Sequence, residues 1–309
     1  MSTISQSMVN VRGRMGLLRD YSELTKARVT TLIVVTAWCG YYFGAARADV
    51  TSLSWTLLNA LLGIALVSGG TAGMNEVMER DLDARMRRTA MRPLVTQTMS
   101  VLHAALVSIL MIIGGTIYLG LTTNWLTAAL TFGTSLVYLG FYTPLKTVSP
   151  ICTFIGAIPG AMPPVLGWTA VRGRLDWEAL VLFAIVFFWQ FPHFHAIALL
   201  YRDDYSNAGI RMLPVVERSG RTTAEAIVFY SLALIAATLA PTLLGMTGYI
   251  YFFSAFFLGL WVLFAGLKIW RARLNPSAPE AKVLARNLLK TTVFYLPLLF
   301  AIMMLNVAS

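Results

Sequence analysis

The most charged stretch of this chain is NEVMERDLDARMRRTAMRPL at residues 75–94, in a sequence that is otherwise strongly apolar. If the stretch is helical, Asn75, Glu79 and Asp83 stand at positions i, i+4 and i+8, so their side chains share a face about 80° wide. One amide oxygen and two carboxylates are hard oxygen ligands of the kind that Mg²⁺ prefers. The spacing therefore predicts a divalent-metal site formed by these three residues, which we also take as catalytic.

Arginines follow this acidic face at once, as Arg85, Arg87, Arg88 and Arg92. A guanidinium group donates paired hydrogen bonds that match phosphate oxygens. Acids followed by arginines suit a metal-chelated diphosphate, and we predict Arg88 and Arg92 as its catalytic contacts. The alternative is a loop whose arginines only follow the positive-inside rule and pair with nearby acids. The residues alone leave both interpretations open.

A second polar group is YRDDY at residues 201–205. Asp203 and Asp204 are adjacent, so their side chains point about 100° apart on a helix. At most one of them is expected to face the same metal as the first motif, and we favour Asp204. Arg202 and Lys146, the lone basic residue of TPLKTVSP, are further candidate phosphate contacts. For Lys146 the alternative is an anchor that reaches the membrane surface.

Histidine occurs only three times, so each one can be weighed. His193 follows Pro192, where a proline kink would open polar room in a helix. A buried, hydrogen-bonded histidine and a heme ligand or proton-transfer group are both compatible with that position. His195 points to the opposite face, about 200° away, so both cannot serve one site. His103 is expected near a membrane interface.

The composition is typical of a polytopic all-α membrane protein. Of the 309 residues, 57% are hydrophobic and 12% are charged, and the mean hydropathy is +0.69. The net charge of +10 does not indicate nucleic-acid binding, because the basic residues are spread over short loops. The two cysteines form no CxxC motif, so they indicate neither a zinc site nor a disulfide. Apolar runs long enough to cross a bilayer predict about nine helices, at residues 29–46, 53–74, 100–120, 124–142, 150–171, 178–200, 223–243, 248–268 and 288–307.

The basic residues also predict the orientation of these helices. With alternating loops, 21 of the 24 lysines and arginines fall on one side, and only Arg47, Arg172 and Arg174 fall on the other. By the positive-inside rule, the N-terminus and the motif loops are expected in the cytoplasm and the C-terminus outside. The polar, basic N-terminal stretch gives no sign of a signal peptide. We predict a cytoplasmic segment at 1–28 and a single transmembrane domain at 29–309.

Five phrases of the sequence together resemble the heme O synthase (protoheme IX farnesyltransferase) branch of the UbiA prenyltransferase superfamily. They are NEVMERDLDARMRRTAMRPL, YTPLKTVSP, GAIPGAMPPVLGW, FWQFPHFH and YRDDYSNAGIRMLPVV. The resemblance runs from about Tyr21 to the last predicted helix. It implies a UbiA-like bundle around a central cavity, two aspartate-rich motifs, and Mg²⁺-bound farnesyl diphosphate in a bacterial inner membrane. It further implies farnesyl transfer to a vinyl group of heme B with water addition, giving heme O for terminal oxidases, and a downstream heme A synthase as a partner.

The resemblance places the first motif on the three residues already assigned to the metal. The superfamily's second motif tends to have two aspartates four apart, whereas here Leu200 stands four residues before Asp204 and only the Asp203-Asp204 pair remains. His193 is the expected heme-binding residue. Along one continuous helix it would lie on the order of 16 Å from Asp204, too far for the metal but suited to heme iron.

Two other functions were weighed against this one. A UbiA-type enzyme acting on a quinone or chlorophyll precursor is disfavoured by the spacing of the second motif and by the PHF phrase. A membrane transporter would carry charges near the midplanes of broken helices. Here nearly every carboxylate clusters at one predicted membrane edge, which disfavours transport.

Overall fold

A computed structural model describes residues 16–217 and 219–308, and within these ranges the regular structure is helical. Nine helical stretches in this part of the chain are long and apolar enough to cross a membrane. The predicted all-α membrane fold with nine spans is therefore confirmed. The spans are Ala27–Ala48 (α2), Trp55–Asp83 (α3), Val101–Thr122 (α4), Trp125–Leu145 (α5 and α6), Cys152–Arg172 (α7 and α8), Trp177–Leu200 (α9), Arg221–Leu243 (α12), Tyr249–Ala272 (α13) and Pro279–Leu305 (α14).

Two of the spans are interrupted and three short helices lie outside them. α5 ends at Val137 and continues through a π-helical turn at Tyr138–Tyr142 into the three-residue α6. The fifth span breaks at Met162, where Pro163 and Pro164 begin α8. The short helices are α1 at residues 16–24, α10 at Arg202–Asn207 and α11 at Leu213–Val216.

Two predicted boundaries are wrong by about two helical turns. α3 continues from the predicted end at residue 74 to Asp83, and α14 begins at Pro279 rather than at residue 288. Hydropathy stops a predicted span at the first charges, but in α3 the charged residues Glu76, Glu79 and Asp83 are buried against other parts of the protein. Neighbouring segments, and not lipid, therefore decide how far this helix extends.

The helices pack so that α8 and α9 connect the two halves of the bundle. α8 lies along α2, and α3 packs against both α4 and α2. α9 contacts α12 and α14 in the second half and α7 and α8 in the first. The end of the bundle that holds the C-termini of α3 and α9 therefore collects both sequence motifs.

The opposite end carries a small ion-pair group. Arg47 Nε lies 3.0 Å from Glu178 Oε1. The Asp176 carboxylate pairs with two arginines: Oδ2 lies 3.2 Å from Arg172 Nε, and Oδ1 lies 2.9 Å from Arg174 Nε. The three basic residues that the loop count assigned to the minority side thus come together at the end away from the motifs.

Close contact between α2 and α8 depends on two glycines. A Cβ atom on Gly40 would overlap the carbonyl oxygen of Pro164, and one on Gly167 would overlap the carbonyl oxygen of Ala37. Small residues allow this approach, which is a common means of helix association in membranes. The overlapped atoms are backbone, so a rotamer change cannot relieve the clash.

We expect Gly167→Ala to destabilise the folded protein by about 1–3 kcal/mol, because the added methyl group forces α2 and α8 apart. Thermal unfolding in detergent, followed by tryptophan fluorescence, measures the change. Gly114→Ala is the matched control, since a Cβ there meets nothing within 4 Å. An unchanged melting temperature in Gly167→Ala would contradict the proposed packing role.

Candidate active site

The first motif lies on the last turns of α3 and faces inward. Ser54 caps the start of this helix by accepting a hydrogen bond from the Leu57 amide. The helix then continues through the whole motif, as the spacing predicts. Asn75, Glu79 and Asp83 are 0%, 6% and 2% exposed. They form a buried polar face on a membrane helix, which requires charged or hydrogen-bonding partners.

Glu79 is paired with Lys146. The lysine Nζ lies 2.7 Å from Oε1 and 2.9 Å from Oε2 of the carboxylate, and 4.5 Å from the centre of the Tyr142 ring. Burial alone would lower the pKa of Lys146, but Tyr142, Tyr138 and Glu79 outweigh it and raise that pKa above its ordinary value. Lys146 is therefore a fixed positive charge at the site, rather than an anchor at the membrane surface.

Asn75 is held from two sides. Its Oδ1 accepts a hydrogen bond from Lys26 Nζ at 2.7 Å, and its Nδ2 donates to Thr143 Oγ1 at 3.1 Å. Lys26 occupies the turn between α1 and α2 with a left-handed backbone, φ 45°. Burial, followed by the charges of Arg92 and Lys146, lowers its pKa to about 8. The sequence analysis did not single out Lys26, because it lies 49 residues from its partner.

Arg92 reaches back to α3 from the following loop. Its Nη1 lies 2.6 Å from Asp83 Oδ2, and its Nε lies 3.2 Å from Glu76 Oε1. Glu76 is 1% exposed and was also missed by the sequence analysis. The signal that could have identified it is the seven-residue spacing to Asp83, which places both side chains within about 20° of one another on a helix.

The loop after α3 is a series of turns and not a helix, so Arg88 and Arg92 do not share a helical face. α3 ends at Asp83, whose carbonyl oxygen accepts a hydrogen bond from Thr89 Oγ1 at 2.9 Å. The Arg88 guanidinium lies 5.5 Å from the centre of the Tyr201 ring. This cation–π contact links the first motif to the second.

Three loops meet at this end of the bundle. Met86, from the loop after α3, packs against Ala208 and Ile210, which follow α10. The Arg211 amide donates to the carbonyl oxygen of Lys146 at 2.7 Å. The structure thus brings together the loop after the first motif, the segment around Lys146 and the segment after the second motif.

Within the second motif the two aspartates differ. Asp203 pairs with Lys282 at 2.8 Å, and its side chain is 61% exposed. Asp204 is half-buried, and none of the hydrogen bonds between described residues uses its carboxylate. Arg202 donates to Pro214 O and to Ser277 Oγ, both at 2.8 Å, and these groups lie outside the acid–cation cluster of α3. Its predicted diphosphate contact, like the choice between the aspartates, stays a prediction.

Protein acids alone do not complete a metal site. Among the described residues, no group of three or more His, Cys, Asp or Glu side chains converges as a metal centre would require. The acids of α3 are instead neutralised by Lys146 and Arg92. Two oxygens of these acids, Glu76 Oε2 and Glu79 Oε1, are buried without a hydrogen-bond partner, although Glu79 Oε1 lies 2.7 Å from Lys146 Nζ.

The two histidines of α9 face different neighbours. His193 Nδ1 lies 3.0 Å from Thr292 Oγ1 on α14, and the ring stacks on Trp189 with centroids 4.7 Å apart. His195 is 4% exposed, so it faces protein and not lipid. α9 ends at Leu200 and Asp204 belongs to α10, so the predicted 16 Å spacing, which assumes one continuous helix, does not apply past Leu200.

This chain is similar to known proteins along most of its length. The sequence profile described as the UbiA prenyltransferase family matches residues 32–304. The chain belongs to the UbiA prenyltransferase family. The superfamily predicted from the five phrases is therefore confirmed.

Two relatives of this UbiA prenyltransferase carry the same name. The chain is 64% identical over 307 residues to the protoheme IX farnesyltransferase of Koribacter versatilis, and the match covers 99% of both chains. It is 44% identical over 295 residues to the protein of the same name from Solibacter usitatus, covering 94% of this chain and 99% of the relative. The motif phrases thus pointed to the correct branch.

Solved structures agree on the fold. A digeranylgeranylglyceryl phosphate synthase superposes with a TM-score of 0.75 at 15% identity, covering 93% of this chain and 97% of that one. A UbiA homologue from Archaeoglobus fulgidus bound to GPP and Mg²⁺ superposes with a TM-score of 0.66 at 16% identity, covering 92% and 99%. At these identities the likeness concerns the fold alone.

We expect Glu79→Gln to lower stability by about 3–5 kcal/mol, because it leaves the buried Lys146 ammonium without a counter-charge. Adding Lys146→Gln to the same chain should restore part of that loss while activity stays absent. Differential scanning fluorimetry of the purified single and double variants measures both effects. Glu23→Gln breaks the exposed Arg19–Glu23 pair and should change stability by less than about 1 kcal/mol. Equal stability of Glu79→Gln and the unmodified protein would show that this pair is not needed for folding.

Proposed function

We propose that this protein transfers the farnesyl group of farnesyl diphosphate to a vinyl group of heme B, with addition of water, giving heme O. The observation that carries the proposal is 64% identity, over 99% of both chains, to a protein named protoheme IX farnesyltransferase. The buried acids and cations at the end of α3 supply the chemistry that a metal-bound diphosphate requires. The flanking apolar helices suit the farnesyl chain and the heme ring.

The donor set fits Mg²⁺. Asn75, Glu79 and Asp83 offer only oxygen ligands, they are buried, and they share one helix face. Since these acids alone do not form a complete centre, diphosphate oxygens, water and Asp204 would supply the other ligands. The relative from Archaeoglobus fulgidus was solved with GPP and Mg²⁺. Bound Mg²⁺ would neutralise charge on the diphosphate and make it a better leaving group.

Lys146, Arg88 and Arg92 would hold the diphosphate. Lys146 and Arg92 each contact an α3 acid at 2.6–2.7 Å. If the acids bound a metal, the same cations would be available to phosphate oxygens. Donors already in place stabilise the charge that develops on the departing diphosphate, with little reorganisation. The cluster thus binds the diphosphate and promotes its departure.

The bond changes are those of an allylic alkylation. The C1–O bond of farnesyl diphosphate breaks, and the diphosphate keeps the electron pair. The vinyl π electrons of heme B form the new C–C bond to C1, and the resulting cation beside the macrocycle takes a water oxygen and loses a proton. The task of the protein is to bind and orient both substrates and to control access of water.

His193 is the residue best placed to bind heme iron. A Thr292 hydroxyl that donates to Leu289 O at 2.9 Å accepts from His193 Nδ1–H across their 3.0 Å contact, and this is the tautomer we assign. The Nε2 atom is then the deprotonated nitrogen, which is the form that binds a metal. Thr292 therefore fixes the tautomer that a heme ligand needs.

We also propose that the motif end faces the cytoplasm of a bacterial inner membrane, with the C-terminus outside. The separation of Arg47, Arg172 and Arg174 from the other basic residues supports this orientation. A heme A synthase would act on the product. Labelling single cysteines at positions 49 and 206 with an impermeant maleimide in intact cells tests the orientation, since only the first should react.

We expect the purified protein, given heme B, farnesyl diphosphate and Mg²⁺, to yield a farnesyl-hydroxyethyl heme detectable by mass spectrometry. Asp83→Ala should lose at least about 100-fold in rate, because it removes a metal ligand without removing apolar packing. Replacing heme B with 4-hydroxybenzoate is the control for a different acceptor class. Product from 4-hydroxybenzoate and none from heme B would assign the protein to another branch of the family.

We expect His193→Ala to weaken heme B binding and to shift the Soret band, while farnesyl diphosphate binding stays unchanged. Thr292→Val should cause a smaller change of the same kind, about 10-fold in heme affinity, because the favoured tautomer is lost. Heme titration by absorbance measures both variants. His195→Asn is the matched control and should leave the spectrum unchanged. A spectral change in His195→Asn alone would exchange the roles of the two histidines.

A further inference from the structure

Glu76 is a fourth polar residue on the inner face of α3, and the predicted metal set does not include it. It is 1% exposed, and its Oε1 lies 3.2 Å from Arg92 Nε. Its side chain leaves the helix within about 20° of that of Asp83. Its second oxygen is buried and has no hydrogen-bond partner. A buried carboxylate is costly unless it is paired, and among the described residues its ion-pair partner is Arg92.

Two carboxylates share the Arg92 guanidinium. Asp83 Oδ2 lies 2.6 Å from Nη1, and Glu76 Oε1 lies 3.2 Å from Nε. A guanidinium has five N–H groups in one plane, so these contacts leave Nη2 and the second Nη1 proton available. Glu76 thus contacts the guanidinium at Nε, and neither acid contact involves Nη2.

Asp83 holds the guanidinium through Oδ2. A metal bound to that oxygen would displace Arg92 from it. Glu76 is then the one carboxylate, among the described contacts of Arg92, that still holds the guanidinium. Without Glu76, Arg92 is free to rotate and to form a two-pronged pair with Asp83, which would compete with the metal.

The loop that carries Arg92 does not depend on Glu76 for its fold. Thr89 Oγ1 ties the loop to the carbonyl oxygen of Asp83 at 2.9 Å. Leu94 and Met99 are buried in a cluster with Leu24 and Ala104. Removing the Glu76 charge should therefore release the guanidinium and leave the loop in place.

We propose that Glu76 is a positioning residue that keeps the Arg92 guanidinium directed at the diphosphate subsite while Asp83 exchanges it for Mg²⁺. The inference rests on the proposed function, since it assumes that this end of α3 binds a metal diphosphate. It assigns Glu76 no contact with substrate. Its effect is to prevent Arg92 from blocking a metal ligand.

Calorimetric titration of the full-length purified protein with inorganic diphosphate and Mg²⁺ tests the proposal without any turnover. Glu76→Gln should weaken diphosphate binding about 10-fold and raise the Mg²⁺ concentration needed for half-saturation, while heme B affinity is unchanged. Glu178→Gln is the matched control, because it neutralises a glutamate held by an arginine Nε at the opposite end of the bundle. It should leave both affinities unchanged.

A double-variant cycle separates positioning from a general structural role. If Glu76 acts through Arg92, Glu76→Gln should have no further effect on diphosphate affinity in an Arg92→Lys background. Fully additive losses would overturn the proposal, as would unchanged or tighter diphosphate binding in Glu76→Gln. Should Glu76→Gln fail to fold, Glu76→Asp keeps the charge on a shorter side chain and should show a smaller loss of the same kind. A Glu76→Asp protein with unaltered diphosphate affinity would then refute the proposal.

Failure of the proposed function gives a different pattern. In that case the unmodified protein would bind no diphosphate in the presence of Mg²⁺, or would bind it and form no farnesylated heme. If the unmodified protein binds diphosphate and Glu76→Gln binds it equally well, the function stands and only the role of Glu76 is wrong. In steady-state assays Glu76→Gln should raise the KM for farnesyl diphosphate by a larger factor than it lowers kcat.

Discussion

The structure depends on neutralising the acids that α3 buries near one edge of the membrane. Glu76, Glu79 and Asp83 are each less than 10% exposed, and unpaired carboxylates in such a position would cost far more than the protein's whole stability. None of the neutralising cations belongs to α3. Arg92 comes from the loop that follows, Lys146 from the segment after α6, and Lys26, bonded to Asn75, from the turn before α2. The charge requirement therefore determines how three distant segments fold onto one helix face.

These same contacts connect the site to the rest of the bundle. The Lys146 segment follows the π-helical turn at Tyr138–Tyr142, and its carbonyl oxygen accepts the amide of Arg211 beyond the second motif. Arg88 contacts Tyr201, where α9 ends. A ligand that draws Lys146 or Arg92 away from its acid thus changes contacts in both motif loops. In the proposed function these contacts would connect the diphosphate site to α9, the helix that carries the candidate heme ligand.

Local patterns predicted much of this arrangement, and long-range pairing did not follow from them. The i, i+4, i+8 spacing placed Asn75, Glu79 and Asp83 on one face, because helix geometry alone relates them. Apolar run lengths predicted nine spans, but they ended α3 at residue 74, since hydropathy does not register that the later charges have partners. Lys26 and Glu76 escaped notice for the same reason. Their importance comes from atoms contributed by other segments, and a single sequence carries no direct signal of such contacts.

Charge balance also supports the proposed metal requirement. Three acids of α3 face three basic residues, one of which, Lys26, has a pKa lowered to about 8 by burial and by its positive neighbours. A diphosphate ester entering alone would add several negative charges to a group already neutralised within itself, in surroundings of low dielectric constant. Entering with Mg²⁺, it would add far less net charge, and each acid that released a cation would gain the metal in its place. In the proposed function such an exchange would leave the buried charges paired, with the acid–cation contacts seen here as the ligand-free arrangement.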